Sequence, residues 1–600
     1  MSYRPLPWGA VILLMAAQAA MADHSVEYLY IEANSGTSSG GHVAVKLDET
    51  VYHFQNKDGL ILLQRDAWPR FRHLYADLDN RDIHVAKVNI PDPVQIEIKR
   101  HLDLSHLKQN FWLEHAASMD RDVALLEALS QKKAFAIPGA GFFGDRKLPS
   151  HGESFILGPI ETAQSIRSRL QTIIKTRRNL HPGKIEVTPE AFNPADLSRG
   201  YADEWIDLTQ NQIALEWALG QKELNQAVLM DGGALPPEER PRGCSAQRWL
   251  SGYKAHLKQD AARLLFNPYP GSGLPLLRTL ARYEAVKLSL ERGRLYLLSP
   301  GLTSTDSNRR QRGEYLESPQ SRLETEFRQH LNELSSRLFC STEIDDLSYH
   351  KLELATLDLK EVVVANQQKM PVGFDHEPDL PNAPALITPD PWESSRTPET
   401  TTLERALEAR ERLQDQITER MHYNLITRNC VTELIKAINS GFEENREPPE
   451  LRGHIDPYRS QSFVPFRFFE LVLRRYPVES TTTIRSFRHR RLAEMILEND
   501  GPWTGILEGN TLTGSVYRPR DEDGIFLFFT DESLWSRPLL GVANLGAAMG
   551  AMALGIATLP LDQGHLLEAG ARGALFSLPE IGLWNIRKGS FTEATLRNER

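Results

Sequence analysis

Cysteine is scarce in this chain. Its 600 residues include only three cysteines, Cys244, Cys340 and Cys430. Small exported proteins that depend on disulfides carry more cysteines, in even numbers, so the sequence excludes a disulfide scaffold. At most one bridge can form, which leaves at least one thiol in need of another explanation. A bridge between Cys244 and Cys340 is compatible with the sequence but does not follow from it.

An excess of basic charge is also absent. The chain has 69 Lys and Arg residues against 79 Asp and Glu residues, for a net charge of -10. Proteins that bind nucleic acid usually present a basic face, so we predict no nucleic-acid partner. Hydrophobic residues make up 41% and charged residues 25% of the chain, which is typical of globular proteins. The length predicts more than one domain.

Long hydrophobic runs are few, and the first lies at the N-terminus. It extends from Trp8 to Ala20, follows the positive charge of Arg4 and ends in the small-x-small pattern before Ala22. This pattern predicts a signal peptide that is cleaved after Ala22, and hence a periplasmic protein. An uncleaved anchor or a buried core helix is the less favoured alternative. The run is too short for a stable transmembrane span.

The second apolar run lies near the C-terminus, from Pro538 to Leu561, and contains no charged residue. Gly546 and Gly550 form a small-xxx-small pair that is typical of close helix contacts. The run is long enough to span a bilayer, but alanine and glycine are weakly hydrophobic, and Asn544 and Pro560 interrupt it. The sequence therefore favours a tightly packed soluble helix pair. Peripheral membrane contact through residues 538–561 is the alternative.

Hydrophobic periodicity predicts a mixed α+β protein. Alternating patterns predict four N-terminal strands, at Tyr28–Ala33, His42–Leu47, Val51–Gln55 and Asp82–Val88. Helical patterns cover Val94–Leu129 and Leu403–Met421, and a second alternating pattern predicts strands within Leu352–Ala365. The predicted order is a signal peptide, a His-bearing first half of the core, a mainly helical insertion, a Pro/Thr-rich linker, a Cys-bearing second half of the core, and an α-rich C-terminal region. These are residues 1–22, 23–160, 161–375, 376–402, 403–475 and 476–600, in that order.

Cys430 has the local sequence of a nucleophile at a helix N-terminus. Asn429 is a favoured N-cap residue, and Val431, Leu434 and Ile438 follow at helical spacing. The free N–H groups and the dipole at a helix start favour an anion. We therefore expect the thiol to ionise more readily than a free cysteine, and the Cys430 N–H to help hold an oxyanion. A small hydrophobic residue at a helix start remains the alternative.

A base for this thiol is predicted on the hairpin of the second and third strands. If Leu47 pairs with Thr50, then His42, His53 and Gln55 share one face. The apolar residues between them share the other face: Val43, Val45, Tyr52 and Phe54. His42 would then accept the thiol proton, and His53 or Gln55 would orient its imidazole. A slip of one residue would move His53 and Gln55 to the opposite face.

Two histidines on one face can also hold a metal. A metal needs a third and a fourth ligand, and no neighbouring Asp, Glu or His is an obvious source of one. We therefore predict no metal and no other cofactor.

The order of His, second His and Asn-Cys resembles the circularly permuted papain-like fold of NlpC-like peptidases and lecithin retinol acyltransferase-like enzymes. More closely, the hairpin and the segment Tyr423–Leu434 resemble the Lnb N-terminal periplasmic domain family. The resemblance implies an antiparallel sheet packed on the Cys-bearing helix. It assigns Cys430 as nucleophile, His42 as base and His53 as polar third residue. Three further residues are candidates for supporting roles: Gln55, Asn429 and Tyr52.

The resemblance also implies an activity. The implied function is an exported thiol acyltransferase that forms a thioester on Cys430 and passes the acyl group to an acceptor, such as a lipoprotein N-terminus. The substrate would be a lipid, a lipoprotein or a peptidoglycan-type molecule. A periplasmic NlpC-like amidase or peptidase is the first alternative, and a non-catalytic envelope scaffold is the second. The N-acyltransferases of this family add several membrane helices, whereas this chain has one weakly apolar stretch.

Overall fold

The structure is a computed structural model. It describes residues 25–32, 41–146, 160–181, 199–236, 244–266, 268–299, 317–372, 380–389, 400–440, 456, 458, 462–498, 502–514, 517, 523–530 and 535–582. The predicted signal peptide lies outside the described residues.

The strands in this part of the chain are β1 (Ser25–Ile31), β2 (His42–Leu47), β3 (Thr50–Lys57), β4 (Leu60–Ala67), β5 (Ile83–Asn89), β6 (Phe135–Ile137), β7 (Phe143–Asp145), β8 (Lys222–Leu224), β9 (Leu229–Ala234), β10 (Arg294–Leu298), β11 (Ala385–Ile387) and β12 (Val478–Ile484). The helices are α1 (Trp68–Arg72), α2 (Asp92–Gln131), α3 (Ile160–Asn179), α4 (Tyr201–Ala218), α5 (Ala246–Phe266), α6 (Gly273–Arg292), α7 (Glu317–Cys340), α8 (Asp346–Gln368), α9 (Thr400–Met421), α10 (Cys430–Asn439), α11 (Pro465–Arg475), α12 (Phe487–Glu498), α13 (Pro502–Glu508), α14 (Arg537–Asp562) and α15 (His565–Ile581). Helix α1 continues as a π-helix over His73–Leu78.

The predicted α+β class is confirmed, but the strands predicted within Leu352–Ala365 are wrong. That segment belongs to α8, whose N-cap Asp345 accepts a hydrogen bond from the backbone N–H of Ser348. Its buried residues include Tyr349, Leu352 and Thr356, which recur at the spacing of one helix face. The β-branched residues near the end of this segment favoured a strand, and the helical period of the whole element outweighs that local preference.

Contacts divide the chain into two compact units. The first contains residues 1–107 and 421–600, and the second contains residues 108–420.

The first unit contains a six-stranded sheet in the order β12-β5-β1-β2-β3-β4. Every neighbouring pair is antiparallel. Leu47 pairs with Thr50 and Val45 with Tyr52, so the predicted register of the hairpin is confirmed. A strand alternates its side chains between the two faces of the sheet, and this register therefore fixes which residues of the hairpin lie together.

One face of the sheet packs against α10 and α11. Val45 and Tyr52 from the hairpin are buried with Val431 and Leu434 from α10 and with Phe468 from α11. Removal of a Val or Leu side chain from water on this scale contributes about 1.5–3 kcal/mol. The apolar stripe of α10 thus holds the helix against the sheet and fixes its first residue, Cys430, beside β2 and β3.

The other face packs against α1 and the π-helix. Phe71 and Tyr75 from these turns are buried with Ala44 and Val51 from the hairpin. The polar residues of the hairpin lie on this second face, next to Tyr75.

The first unit ends in two packed helices, α14 and α15. The expected helix pair is present, but Gly546 and Gly550 are not at its contact, because a Cβ on either would meet no atom within 4 Å. The close approach occurs instead at Gly555 and Gly570, where a Cβ would collide with the facing helix. The predicted role of the Gly546–Gly550 pair is therefore wrong.

The second unit is mainly helical. Its two main cores bury residues of α4, α5 and α6, with α7 and α8 completing the second core. A disulfide joins Cys244 to Cys340, and Arg282 forms a buried ion pair with Glu353 at 2.5 Å. Within the predicted linker, β11 pairs with β6.

Candidate active site

His42 and His53 meet on the polar face of the hairpin. The Nε2 atom of His42 lies 3.0 Å from Nδ1 of His53, and both side chains are buried. Their rings are nearly perpendicular, with centroids 5.2 Å apart. The second histidine therefore holds the first by a hydrogen bond between two neighbouring strands.

Asp66 extends this contact on the far side of His53. Its Oδ2 atom lies 2.8 Å from Nε2 of His53, in a half-buried position at the end of β4. Burial raises the pKa of Asp66, but the hydrogen bond and charge of His53 outweigh it and hold the pKa below its ordinary value. Sequence reasoning missed this residue because β4 was not recognised. The short apolar run from Leu60 to Leu63, directly after the turn that follows β3, was the available signal.

When the His53 ring carries one proton, its hydrogen bonds set which nitrogen of each ring is protonated. An ionised carboxylate only accepts hydrogen bonds, so Nε2 of His53 carries a proton and donates it to Asp66. Nδ1 of a neutral His53 is then an acceptor, and Nε2 of His42 must donate to it. The lone pair of His42 is left on Nδ1. The order Asp66–His53–His42 thus leaves one basic nitrogen free to take a proton.

Tyr75 covers His42 from the helical side. Its ring stacks on the imidazole with centroids 5.5 Å apart and an interplanar angle of 20°. Gln55 donates its side-chain N–H to the Tyr75 hydroxyl at 2.9 Å. Gln55 therefore acts on Tyr75, and His53 is the residue that contacts His42 directly.

Two predicted supporting residues have structural contacts of their own. Tyr52 points to the opposite face of the hairpin, where its hydroxyl donates to Asp103 at 3.1 Å. Strand alternation places Tyr52 away from His42 and His53, on the face against which α10 and Cys430 pack. Asn429 is the N-cap of α10, and its side-chain oxygen accepts from the backbone N–H groups of Val431 and Thr432. The predicted cap is thus confirmed.

Cys430 is the first residue of α10 and the one cysteine outside a disulfide. The sulfur is half-buried beside the apolar core under the sheet. Pairing between β2 and β3 covers only Val45–Leu47 and Thr50–Tyr52, although both strands continue. Beyond these pairs the backbone of β2 is open to α10. The N–H of Val43 there acts as a hydrogen-bond donor to the thiol, and it belongs to the peptide that follows His42 directly.

The expected ready ionisation of Cys430 is contradicted. Burial raises the pKa of the Cys430 thiol to about 11. The backbone N–H groups of Val43 and Val431 and the charge of Arg81 act in the opposite direction but do not outweigh it. The helix start favours an anion as expected, and the low polarity of the surroundings is the stronger effect.

His42 is neutral as well. Burial lowers its pKa well below the ordinary value, and the neighbouring His53 and the charge of Arg81 lower it further. The resting pair is therefore a neutral thiol and a neutral imidazole. Any attack by the sulfur requires the proton to leave during the reaction. Cys430 packs with the apolar face of the hairpin, the His42 ring lies on the other face beside Tyr75, and the Val43 N–H is the contact between the thiol and β2.

Gly41 sets the start of β2. Its φ is +90°, and a Cβ there would collide with the carbonyl oxygen of Ile31 and the ring of Tyr30. Only glycine adopts this conformation without strain. The position of His42 at the first residue of the strand therefore depends on the glycine before it.

The described residues bring together one group of metal-ligand type, His256, Asp260 and Asp346 in the second unit. The hydroxyl of Tyr253 already donates to Asp346 at 2.6 Å. This group lies in the other unit from His42, His53 and Cys430.

Comparison of the chain with models of known protein families, with curated protein sequences and with solved structures finds no match.

Proposed function

We propose that this chain is an exported thiol-dependent acyltransferase of the cell envelope with a permuted papain-like core. Cys430 is the nucleophile, His42 its base and His53 the residue that orients the base. The observation that carries the proposal is the ordered chain from Asp66 through His53 to His42, next to a helix that begins with an unpaired cysteine. A buried, oriented imidazole of this kind is the arrangement that thiol and hydroxyl nucleophiles require.

The first half of the reaction forms a thioester. The sulfur of Cys430 attacks an ester carbonyl while its proton passes to Nδ1 of His42. The carbonyl becomes an oxyanion, which the N–H of Cys430 at the helix start can stabilise. When this intermediate collapses, the C–O bond breaks and the leaving alcohol takes the proton from His42.

The second half returns the thiol. An amine acceptor attacks the thioester carbonyl and gives a proton to Nδ1 of His42. The C–S bond then breaks, and the sulfur of Cys430 recovers that proton. The products are an amide and the free enzyme. His53 and Asp66 keep the lone pair of His42 on Nδ1 throughout both halves.

A lipid substrate is supported by the two C-terminal helices. Helix α14 is the one described helix that is long and apolar enough to cross a membrane, and 22% of its apolar window is buried. Its exposed side chains include Leu539, Leu554, Ile556 and Leu561. Apolar surface of this extent is typical of a membrane or lipid contact. We propose that this surface meets the membrane that supplies the acyl donor.

The first experiment traps the thioester. The purified full chain is incubated with p-nitrophenyl octanoate, and the acyl adduct is located by mass spectrometry. Cys244 and Cys340 are already bridged, so no other cysteine needs replacement. We expect octanoyl transfer to Cys430, and a loss of at least about 100-fold in its rate in His42→Ala.

The matched control for this experiment is His101→Ala, which removes a histidine of α2 that pairs with Glu97. It should acylate within about twofold of the wild-type rate. No adduct on Cys430, or equal rates in His42→Ala and the control, would leave the non-catalytic scaffold as the better description. Adduct formation followed only by hydrolysis, with no transfer to an added amine, would favour the amidase alternative.

The membrane contact is tested with vesicles. Full-length protein is mixed with phospholipid vesicles and separated by flotation. The double substitution Leu554→Asp and Ile556→Asp should reduce the floating fraction strongly, since charges in an apolar contact are costly. Leu347→Asp, an exposed leucine in the second unit, is the control and should float like wild type. Equal flotation of all three proteins would rule out this contact.

A further inference from the structure

A buried guanidinium lies beside the candidate site, and one of its terminal nitrogens has no partner among the described residues. Arg81 is 4% exposed. Its Nε donates to the carbonyl oxygen of Glu32 at 2.5 Å, and Nη1 lies 3.8 Å from Asp79. Nη2 is buried and has no hydrogen-bond partner among the described residues. A buried charge with an unsatisfied donor is strongly disfavoured unless a ligand completes it.

The position of Arg81 links it to the base. Its guanidinium lies over the Tyr75 ring, 5.4 Å from the centroid, and the same ring stacks on His42. The carbonyl that it binds belongs to Glu32, the residue after Ile31, and Ile31 pairs with His42 across the sheet. Arg81 therefore contacts the end of β1 and Tyr75 of the π-helix, and the same two elements contact His42.

The charge of Arg81 reaches both reacting groups. Burial is the largest cause of the lowered pKa of His42 and His53 is the second, and the charge of Arg81 lowers this pKa further. The same charge opposes the rise that burial causes in the pKa of Cys430. A positive charge felt by the base and the nucleophile is also felt by a substrate that lies between them. Guanidinium groups bind phosphate and carboxylate oxygens through paired N–H donors.

We propose that Arg81 is a substrate-binding residue, and that its free Nη2 edge binds the phosphate of a phospholipid acyl donor next to Cys430 and His42. This inference rests on the proposed function and names the donor class.

The lipid source of the phosphate is favoured by the start of α14. Burial raises the pKa of Tyr30, and the charges of Arg81 and of Arg537 both oppose that rise. Arg537 is the first residue of α14. The charge of Arg81 and that of the first residue of the apolar helix thus both reach Tyr30. A donor with a charged phosphate and apolar chains matches both features.

The experiment compares an anionic and a neutral probe of the same thiol. Cys430 of the full chain is alkylated with iodoacetate and with iodoacetamide at pH 8, and the ratio of the two rates is recorded. Arg81→Met keeps the apolar stem and removes the charge. We expect the ratio to fall about tenfold in this variant, because an anion is no longer attracted to the site.

Two variants serve as controls. Arg65→Met removes an exposed arginine of the same unit that pairs with Asp103, and its ratio should stay within about twofold of wild type. Arg81→Lys keeps the charge but loses the paired donors, so its ratio should lie between wild type and Arg81→Met. An equal ratio in wild type and Arg81→Met overturns the inference and leaves the proposed nucleophile intact. A Cys430 inert to both reagents overturns both.

A protection arm identifies the anion. Dihexanoyl phosphatidylglycerol, inorganic phosphate, neutral dihexanoylglycerol and N-acetyl-alanine are each tested for protection of Cys430 against iodoacetamide. We expect the phospholipid to protect best, and its advantage over the neutral diacylglycerol to disappear in Arg81→Met. Equal protection by inorganic phosphate, by the neutral lipid or by the carboxylate overturns the assignment of Arg81 to a phospholipid.

Discussion

The two faces of the β2–β3 hairpin differ more than the sequence of either strand suggests. One face carries Val45 and Tyr52, which pack with the apolar residues of α10 and α11. The other carries His42 and His53, which form hydrogen bonds in an equally buried environment. Both faces exclude water, but only the second contains groups that can move a proton.

One face of the hairpin therefore positions Cys430, and the other face positions the base that we propose for it. The apolar face fixes α10, and hence Cys430, by burial of Val431 and Leu434. The polar face fixes the orientation of His42. Because successive residues of a strand point in opposite directions, one short hairpin supports both the helix and the base. Changes on one face should therefore leave the role of the other face largely intact.

The largest effect is expected from Asp66→Asn. An amide can donate as well as accept, so His53 is no longer forced to keep its proton on Nε2, and His42 loses the enforced lone pair on Nδ1. Because the carboxylate of an Asp–His pair holds the imidazole in one tautomer and orientation, we expect the acylation rate of Cys430 to fall about 100-fold or more. The fall should lie in the maximal rate rather than in apparent affinity, and the pH profile of the rate should change.

Asp103→Asn is the matched control for this prediction. Asp103 also accepts a hydrogen bond from a ring side chain of β3, but from Tyr52 on the opposite face. Its acylation rate and pH profile should stay within about threefold of wild type. If the two variants lost activity equally, the carboxylates would be structural and the ordering of His42 through His53 would be wrong.

The sequence predicted the hairpin, its register and the helix that begins at Cys430, because each depends on local periodicity and capping. It placed His42, His53 and Gln55 on one face for the same reason. It missed Asp66, which reaches His53 through the pairing of β3 with β4, and Arg81, which lies over the Tyr75 ring. Such contacts are long-range and have no local pattern.

The direction of the Cys430 pKa shift was also out of reach of the sequence. A helix start predicts easier ionisation, whereas burial of the thiol beside the apolar core decides the outcome. The roles of Gly555 and Gly570 follow the same rule, since the rotation of one helix against another is not visible in the spacing of its glycines.

The next effect concerns stability at high pH. The folded thiol of Cys430 keeps its proton up to a pKa of about 11, against a reference value of 9.0. Between these values the unfolded chain loses the proton and the folded chain retains it, so the free energy of unfolding falls as pH rises. Across the window the loss is roughly 2–3 kcal/mol.

The check compares wild type with Cys430→Ser in urea unfolding from pH 8.5 to 10.5, followed by a signal of the first unit. Wild type should lose stability relative to the variant as pH rises, because serine does not titrate there. Tyrosines and other groups titrate in both proteins and cancel in the difference. Parallel curves would mean that Cys430 ionises in the folded state as it does in the unfolded chain, and the buried neutral thiol would be wrong.

The smallest effect is expected from Gln55→Leu, and it distinguishes the two candidates for the third residue. The Gln55 amide donates to the Tyr75 hydroxyl and not to His42, so its removal loses one neutral hydrogen bond, worth about 1 kcal/mol. We expect Cys430 acylation to fall no more than about threefold. His53→Leu removes the direct contact with His42 and should cost about 100-fold. If Gln55→Leu matched His53→Leu, the stacked Tyr75 ring rather than the histidine chain would control the position of His42.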